Sequence, residues 1–241
     1  MDILGIIPAR GSSKGLPRKN LHLILGKPLL AYTIMAAQKS GLITRLIVST
    51  EDKEIAEVAA EYGVEVLERP VELATDDSPI DDTLRFSTIS LREAESRNGM
   101  VCLPDIVVLM QANVPVRKVG MIDTVIRDLI FSKADSAVSV YKVDQRPEWM
   151  KVLDAGRLYP RDIMAKGYSR QDFPDYYLMD GAVMAVKAEV LVGTAKDRSV
   201  HAWLGSNVRG VIQEKFYATE IDSAEDVAIA EAILWALKKE E

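Results

Sequence analysis

The sequence predicts an α/β fold built on a parallel sheet, and three observations lead there. Apolar runs rich in β-branched residues alternate with helix-periodic segments along most of the length. The first run, residues 3–7, is apolar throughout, as expected for a strand covered on both faces. Strand, helix and strand then follow one another closely, which favours right-handed crossovers and places ligands at the carboxyl ends of the strands.

Taken in order, residues 29–39 read as a helix closed by Gly41 as a left-handed cap. Residues 45–50 form a second strand, 53–62 a helix ended by Gly63, and 64–67 a short third strand. A loop over 68–79 carries Pro70, Pro79 and the acidic pair Asp76-Asp77. Ser78-Pro79-Ile80-Asp81 predicts a helix start, with a Ser cap and Pro at the first position. Ile80, Leu84, Thr88 and Leu91 keep helical spacing to about Ser96, where Asn98-Gly99 breaks it. The strand 106–110 runs into a turn, Gln111 to Arg117, that faces the same cleft as the loop after the first strand.

The helix 119–131 buries Ile122, Val125, Ile126 and Leu129. After 136–141 the stretch 143–180 is polar and irregular, with three prolines and the aromatics Trp149, Tyr159, Tyr168, Phe173, Tyr176 and Tyr177. It is too short to bury a core of its own and reads as an arm or small β excursion. Strands at 182–186 and 208–213 and a helix at 223–238 complete the chain, the helix burying Val227, Ala230, Leu234 and Leu237.

The 241 residues suit one domain, and 48% hydrophobic content supplies its core. A net charge of -6, with no basic stripe beyond the opening loop, argues against a nucleic acid partner. The single cysteine, Cys102, reads as buried filler and points to a reducing compartment. No run is long and apolar enough to span a bilayer, and residues 1–8 lead into a strand rather than a signal peptide, so a cytoplasmic location is expected.

The opening loop, Pro8-Ala9-Arg10-Gly11-Ser12-Ser13-Lys14-Gly15-Leu16-Pro17-Arg18-Lys19-Asn20, sets four cations beside a Gly- and Ser-rich turn in an acidic chain. Such a turn can direct successive N–H groups at an anion, and Pro17 stiffens it. A triphosphate cradle is the reading it favours; a solvated basic turn is the alternative. Glu220 and Asp222, two apart on an extended approach, share one face. Asp222, with Glu225 three residues on, also fits a helix N-cap.

The opening loop, Ile47-Val48-Ser49-Thr50, Glu68-Arg69-Pro70 with Leu73-Ala74, Gln111, Val114-Pro115-Val116-Arg117, Asp180-Gly181-Ala182 and Glu220-Ile221-Asp222 together resemble the acylneuraminate cytidylyltransferase family. The resemblance spans nearly the whole chain. It implies a single Rossmann-like three-layer domain of the nucleotide-diphospho-sugar transferase type, with a mixed, mostly parallel sheet. It also implies a protruding segment, here about 143–180, exchanged in a homodimer.

The reaction implied is CTP plus a nonulosonic, sialic-type 2-keto sugar acid giving a CMP-sugar and pyrophosphate, with Mg²⁺ as cofactor. Arg10 and Lys19 match residues that hold the triphosphate; Gly11, Ser12, Ser13, Lys14 and Asn20 add phosphate or ribose contacts. Arg69 matches a residue that contacts the cytosine base, against the alternative of an ion pair with Glu68 or Glu72. Asp222 and Glu220 match two metal-binding aspartates, the first of them Glu here. Gln111, Asn113 and Asp180 fall where the sugar acid lies. The family's usual Pro-Thr-Ser-Pro-Leu-Arg reads Ala112-Asn113-Val114-Pro115-Val116-Arg117 here, and its Asn-Gly-Ala reads Asp180-Gly181-Ala182. Those departures leave open a different acidic sugar, or a homologue that binds CTP or a CMP-sugar without turnover.

Overall fold

In the computed structural model, described over residues 1–95, 102–161, 169, 171 and 173–239, the apolar runs assemble into one seven-stranded sheet. Its strands are β1 (Ile3–Pro8), β4 (Arg45–Thr50), β5 (Glu65–Glu68), β6 (Ile106–Leu109), β7 (Ser136–Lys142), β10 (Tyr177–Lys187) and β11 (Val208–Gln213), in the spatial order β11-β7-β10-β6-β1-β4-β5. β1 pairs in parallel with both β4 and β6, β4 with β5, and β7 with β11. β10 runs antiparallel to β6 and β7, so the sheet is mixed and mostly parallel.

The helices are α1 (Leu29–Gln38), α2 (Lys53–Glu61), α3 (Ile80–Glu95), α4 (Met121–Ser132), α5 (Ala188–Gly193) and α6 (Ala224–Lys238). Period-2 alternation splits β1 between the two faces of the sheet. Ile3 and Ile7 pack with Leu30, Ile34, Val125, Ile126 and Leu129; Leu4 and Ile6 pack with Leu84, Leu191, Trp203 and Leu204. A third cluster, including Leu29, Val116, Ile221, Val227 and Ala230, seats α6. The strand order turns back between β1 and β6, and the loops that follow these two strands open at that point, where α/β sheets hold ligands.

Several local expectations change. α1 ends on right-handed Lys39, and Gly41 is not left-handed; its N–H donates to Asp123 Oδ2 at 3.2 Å. The Ser78 hydroxyl donates to the Glu72 carbonyl at 2.6 Å, and α3 begins at Ile80, after Pro79. Cys102, expected as buried filler, is exposed instead, in the loop before β6. Ser96, Asn98, Gly99 and Tyr168 lie outside the described residues. Short elements that periodicity cannot register are the hairpin β2 (Leu23–Ile24) and β3 (Lys27–Pro28), and α5.

Within 143–180, β8 (Lys151–Asp154) and β9 (Arg157–Pro160) form a second hairpin, turning at left-handed Ala155 and Gly156, with every strand residue exposed. β10 already begins inside that stretch, at Tyr177.

Asp52 starts α2 as an N-cap, accepting the Ile55 N–H at 3.0 Å, and its pairing with Arg18 holds the carboxyl below its usual range. A depressed folded-state pKa stabilises above the unfolded value, and that stabilisation is lost as pH falls through the folded one. Asp52→Ala should cost about 1 kcal/mol at neutral pH. In urea unfolding the gap to the parent should narrow below about pH 4.

Candidate active site

The loop after β1 is shaped by carboxylates that take its donors. The Gly11 N–H donates to Glu51 Oε1 at 2.7 Å, and a Cβ on Gly11 would meet Asp52 Oδ2 at 2.2 Å. A Cβ on Gly15 would stand 2.3 Å from the Asp222 carbonyl oxygen. Both glycines are therefore fixed by close approach, one to α2's cap and one to the segment before α6. Arg18, at φ 55°, pairs with Asp52 at 2.5 Å and Glu54 at 3.0 Å. The Asn20 amide donates to the Arg10 carbonyl at 2.9 Å, folding the loop's end back on its start.

This loop forms one wall of a cleft of about 330 Å³ at the switch point. Arg10, Lys19, Asn20, Arg69, Gln111 and Asn113 all line it, so the structure brings together six residues singled out from sequence. Ser12 is exposed and Ser13 half-buried, and neither lines the cleft. Lys14 reaches out to Asp76, 2.8 Å away, with its side chain largely in solvent.

Arg69 is buried, and its ion-pair partner is Glu51 rather than Glu68 or Glu72: Glu51 Oε2 accepts from Nε at 3.1 Å and from Nη2 at 2.9 Å. Burial pulls the guanidinium below its ordinary value, Glu51 opposes that shift, and the nearby charge of Arg10 adds to it. Glu51 thus ties Arg69 and the Gly11 N–H into one unit. Sequence reading missed it, although an acid directly after a strand that ends beside the opening loop was a usable signal.

At the other end of the cleft, Arg117 gathers the turn after β6. Its Nη2 donates to the Gln111 carbonyl at 2.6 Å, its Nη1 to Thr33 Oγ1 at 2.7 Å and to the Val114 carbonyl, and its Nε to Ala182 O at 3.1 Å. As a whole residue it is half-buried, yet its charged head is enclosed deeply enough to pull the guanidinium below its ordinary value. Gly181, at φ 68°, lies against two side chains: a Cβ there would be 2.5 Å from Gln111 Oε1 and 3.1 Å from Glu220 Oε1.

Asp180 is not presented to a ligand. It is 0% exposed, Oδ1 accepts from Ser139 Oγ at 2.5 Å and the Ala182 N–H at 2.9 Å, and Oδ2 accepts from Gln213 Nε2 at 2.5 Å. Its role here is to brace β10 beside Gly181.

Asn113 accepts the Ile221 N–H at 2.9 Å through its carbonyl, which docks the 220–222 segment at the cleft. Asp222 Oδ1 then meets Lys19 Nζ at 2.7 Å, with 66% of the Asp222 side chain exposed. Asp222 does not cap α6. Ser223 does, in a capping box with Asp226, one residue further on than the sequence pattern indicates. Burial first, and then the charges of Asp222 and Asp180, push the half-buried Glu220 carboxyl upward, with Lys19 opposing them.

The family model described as cytidylyltransferase matches residues 4–190. The CMP-N,N'-diacetyllegionaminic acid synthase of Legionella pneumophila is 33% identical over 198 residues, covering 81% of this chain and 79% of that protein. The N-acylneuraminate cytidylyltransferase of Streptococcus agalactiae is 30% identical over 226 residues, covering 92% of this chain; the chain spans only 50% of that relative's length. The solved structure of CMP:2-keto-3-deoxy-manno-octonic acid synthetase complexed with CTP superposes with a TM-score of 0.73, over 98% of this chain and 99% of that one, at 18% identity. That likeness concerns the fold.

Removing the Asp180 carboxylate strands the buried Ala182 N–H and Gln213 amide, while Ser139 Oγ keeps the Val183 carbonyl at 3.1 Å. Asp180→Ala should lower unfolding free energy by about 2–4 kcal/mol in chemical denaturation.

Proposed function

The chain belongs to the cytidylyltransferase family, and from that premise we propose that it transfers CMP from CTP to a nonulosonic 2-keto sugar acid, releasing pyrophosphate. One observation carries this reading. A single cleft is lined by Arg10 and Lys19 of the cationic loop, by Arg69, and by Gln111 and Asn113. Triphosphate and acceptor would thereby share one opening. The legionaminic and N-acylneuraminic names of the relatives supply the acceptor class.

In this reading the anomeric hydroxyl oxygen of the acid attacks the α-phosphorus and forms the new P–O bond. The bond from that phosphorus to the α,β-bridging oxygen breaks, and its electron pair leaves with pyrophosphate while the hydroxyl proton is released. Such chemistry depends on alignment and on neutralising charge at the leaving group. Arg10 and Lys19 supply positive charge where it develops, and Gly11 and Asn20 hold the loop's shape. Arg69, held by Glu51 through Nε and Nη2, would meet the base through Nη1. Gln111 and Asn113 have amides suited to sugar hydroxyls.

Mg²⁺ fits the donor set. The Asp222 carboxylate is exposed beside Lys19, and the charge on Glu220 is disfavoured by burial and by the neighbouring Asp222, Asp180 and Asp226, a cost that a cation would relieve. No group of three or more His, Cys, Asp or Glu side chains able to hold a metal ion occurs among the described residues. Asp222 and Glu220 would therefore hold the ion jointly with phosphate oxygens and water. When bound, the ion supplies neutralisation of phosphate charge.

The hairpin of β8 and β9, with Val152, Leu153, Leu158 and Tyr159 exposed, is the surface we assign to a homodimer contact. No helix among the described residues is long and apolar enough to cross a membrane; the reaction's soluble substrates suit the cytoplasm.

Pyrophosphate release, measured with Mg²⁺ over four nucleoside triphosphates and a panel of keto-sugar acids, should require CTP and a nonulosonic acid. Saturable CTP binding with no release across the panel would overturn the proposal. Arg10→Ala should lower kcat/KM by about 10²–10³. Asp222→Asn should remove turnover while leaving cooperative unfolding intact, since its side chain is mostly exposed; near-parental activity in that variant would refute the metal assignment.

A further inference from the structure

The carboxylate of Asp76 spans the two leading cations of the phosphate loop. Its Oδ1 lies 2.8 Å from Arg10 Nη2, and its Oδ2 lies 2.8 Å from Lys14 Nζ. Asp76 reaches them from the loop that precedes α3, which contributes Leu73, Thr75, Asp76 and Ser78 to the cleft lining. That loop is built rather than loose. Residues Val71–Leu73 form a turn of 3-10 helix, and the Leu73 and Ala74 N–H groups bond back to the Pro70 and Val71 carbonyls. Ala74 is buried, and Ser78 Oγ lies 2.6 Å from both the Glu72 carbonyl oxygen and Thr75 Oγ1. Asp76 therefore sits on a stapled loop, aimed across the cleft.

The hydrogen bond from Lys14, aided by the charges of Lys14 and Arg10, holds the Asp76 carboxyl below the usual carboxylate range. It is ionised at neutral pH. An ionised carboxylate whose two oxygens are divided between two cations is the closest side-chain equivalent of a pair of phosphate oxygens. The transfer reaction has no need of an anion there, because the nucleotide brings its own.

We propose that Asp76 is an internal competitor for the triphosphate, occupying the Arg10–Lys14 anion site in the free protein and yielding it when phosphates bind. The identity of the displacing ligand as CTP rests on the reading given under Proposed function. The arrangement keeps two like charges from repelling each other in the empty loop. It also makes polyphosphate binding an exchange of anions, so Asp76 sets the affinity for the nucleotide without touching the reacting atoms.

Calorimetric titrations with inorganic tripolyphosphate, CTP and cytidine, at low and high salt, test this on the full chain. Asp76→Asn should bind tripolyphosphate and CTP more tightly by about three- to tenfold at low salt, with the gain shrinking as salt is added. Cytidine affinity should not change, and in turnover KM for CTP should fall with kcat retained. Asp76→Glu, which keeps the charge, should stay near the parent.

Tripolyphosphate binding that is unchanged or weaker in Asp76→Asn would overturn the proposal. So would a weakening confined to Mg²⁺-containing buffer, which would make Asp76 a ligand of the cation instead. A parent chain that binds tripolyphosphate but not CTP would overturn the nucleotide reading and leave the role of Asp76 standing.

Discussion

The enclosed guanidinium of Arg117 is the interaction on which the Gln111–Asn113 wall of the cleft depends. The turn after β6 leaves the strand with carbonyls that need partners outside the sheet, and an unpaired buried carbonyl is costly. Arg117 answers two of them, at Gln111 and Val114, and also reaches Ala182 on β10 and Thr33 on α1. The consequences run outward in sequence. A fixed turn fixes Asn113; the Asn113 carbonyl takes the Ile221 N–H; and that bond carries Glu220 and Asp222 to the cleft and Asp222 to Lys19. The favourable charge of Asp180 helps Arg117 remain protonated where it is. Asp180 is itself fixed by Ser139, Gln213 and the Ala182 N–H. Replacing either charge alone would leave the other without its counterpart.

The wall formed by the opening loop follows a different logic. The cationic loop of an acidic chain is neutralised donor by donor: Glu51 takes the Gly11 N–H and Arg69, Asp52 takes Arg18, Asp76 takes Arg10 and Lys14, and Asp222 takes Lys19. These carboxylates fall into two groups by burial. Glu51 and Asp52 are largely covered and lock geometry, whereas Asp76 and Asp222 are more exposed, Asp76 lining the cleft and Asp222 pairing with Lys19, which lines it. The first group makes the loop a defined object before any ligand arrives. The second is composed of groups that an incoming polyanion or cation can rearrange at small cost, because partly exposed ion pairs contribute little.

Much of this was legible in the sequence, and the reasons are local. Periodicity, β-branched runs and Gly63 gave the strands and helices of the first half, and the cations of the opening loop marked it as a candidate cleft wall, which Arg10 and Lys19 form. What escaped was what local pattern cannot encode. Hydrophobic period has no direction, so antiparallel β10 reads like its parallel neighbours. Asp222 with Glu225 and Ser223 with Asp226 are overlapping capping patterns, and only the geometry chooses the second. Arg69 has acids at nearby positions in sequence, yet its partner is Glu51 on the neighbouring strand's end. Asp180 resembles a site residue from its place in a motif. Its partners Ser139 and Gln213 lie far off in sequence, and they turn it inward.

The irregularity in β10 links two parts of the molecule that otherwise look unrelated. Between Met179 and Met184 the strand advances five residues while β7 advances two, from Val140 to Val138, and left-handed Gly181 lies within that step. The outer portion, Tyr177 to Met179, pairs with the end of β7 from which the chain departs toward the β8–β9 hairpin; the inner portion belongs to the core. A bulge leaves its extra residues out of the ladder and bends the strand. Gln111 Oε1 and Glu220 Oε1 lie so close to Gly181 that a Cβ there would meet both. A side chain at this step would therefore push on Gln111 and so reshape the cleft wall that Gln111 forms.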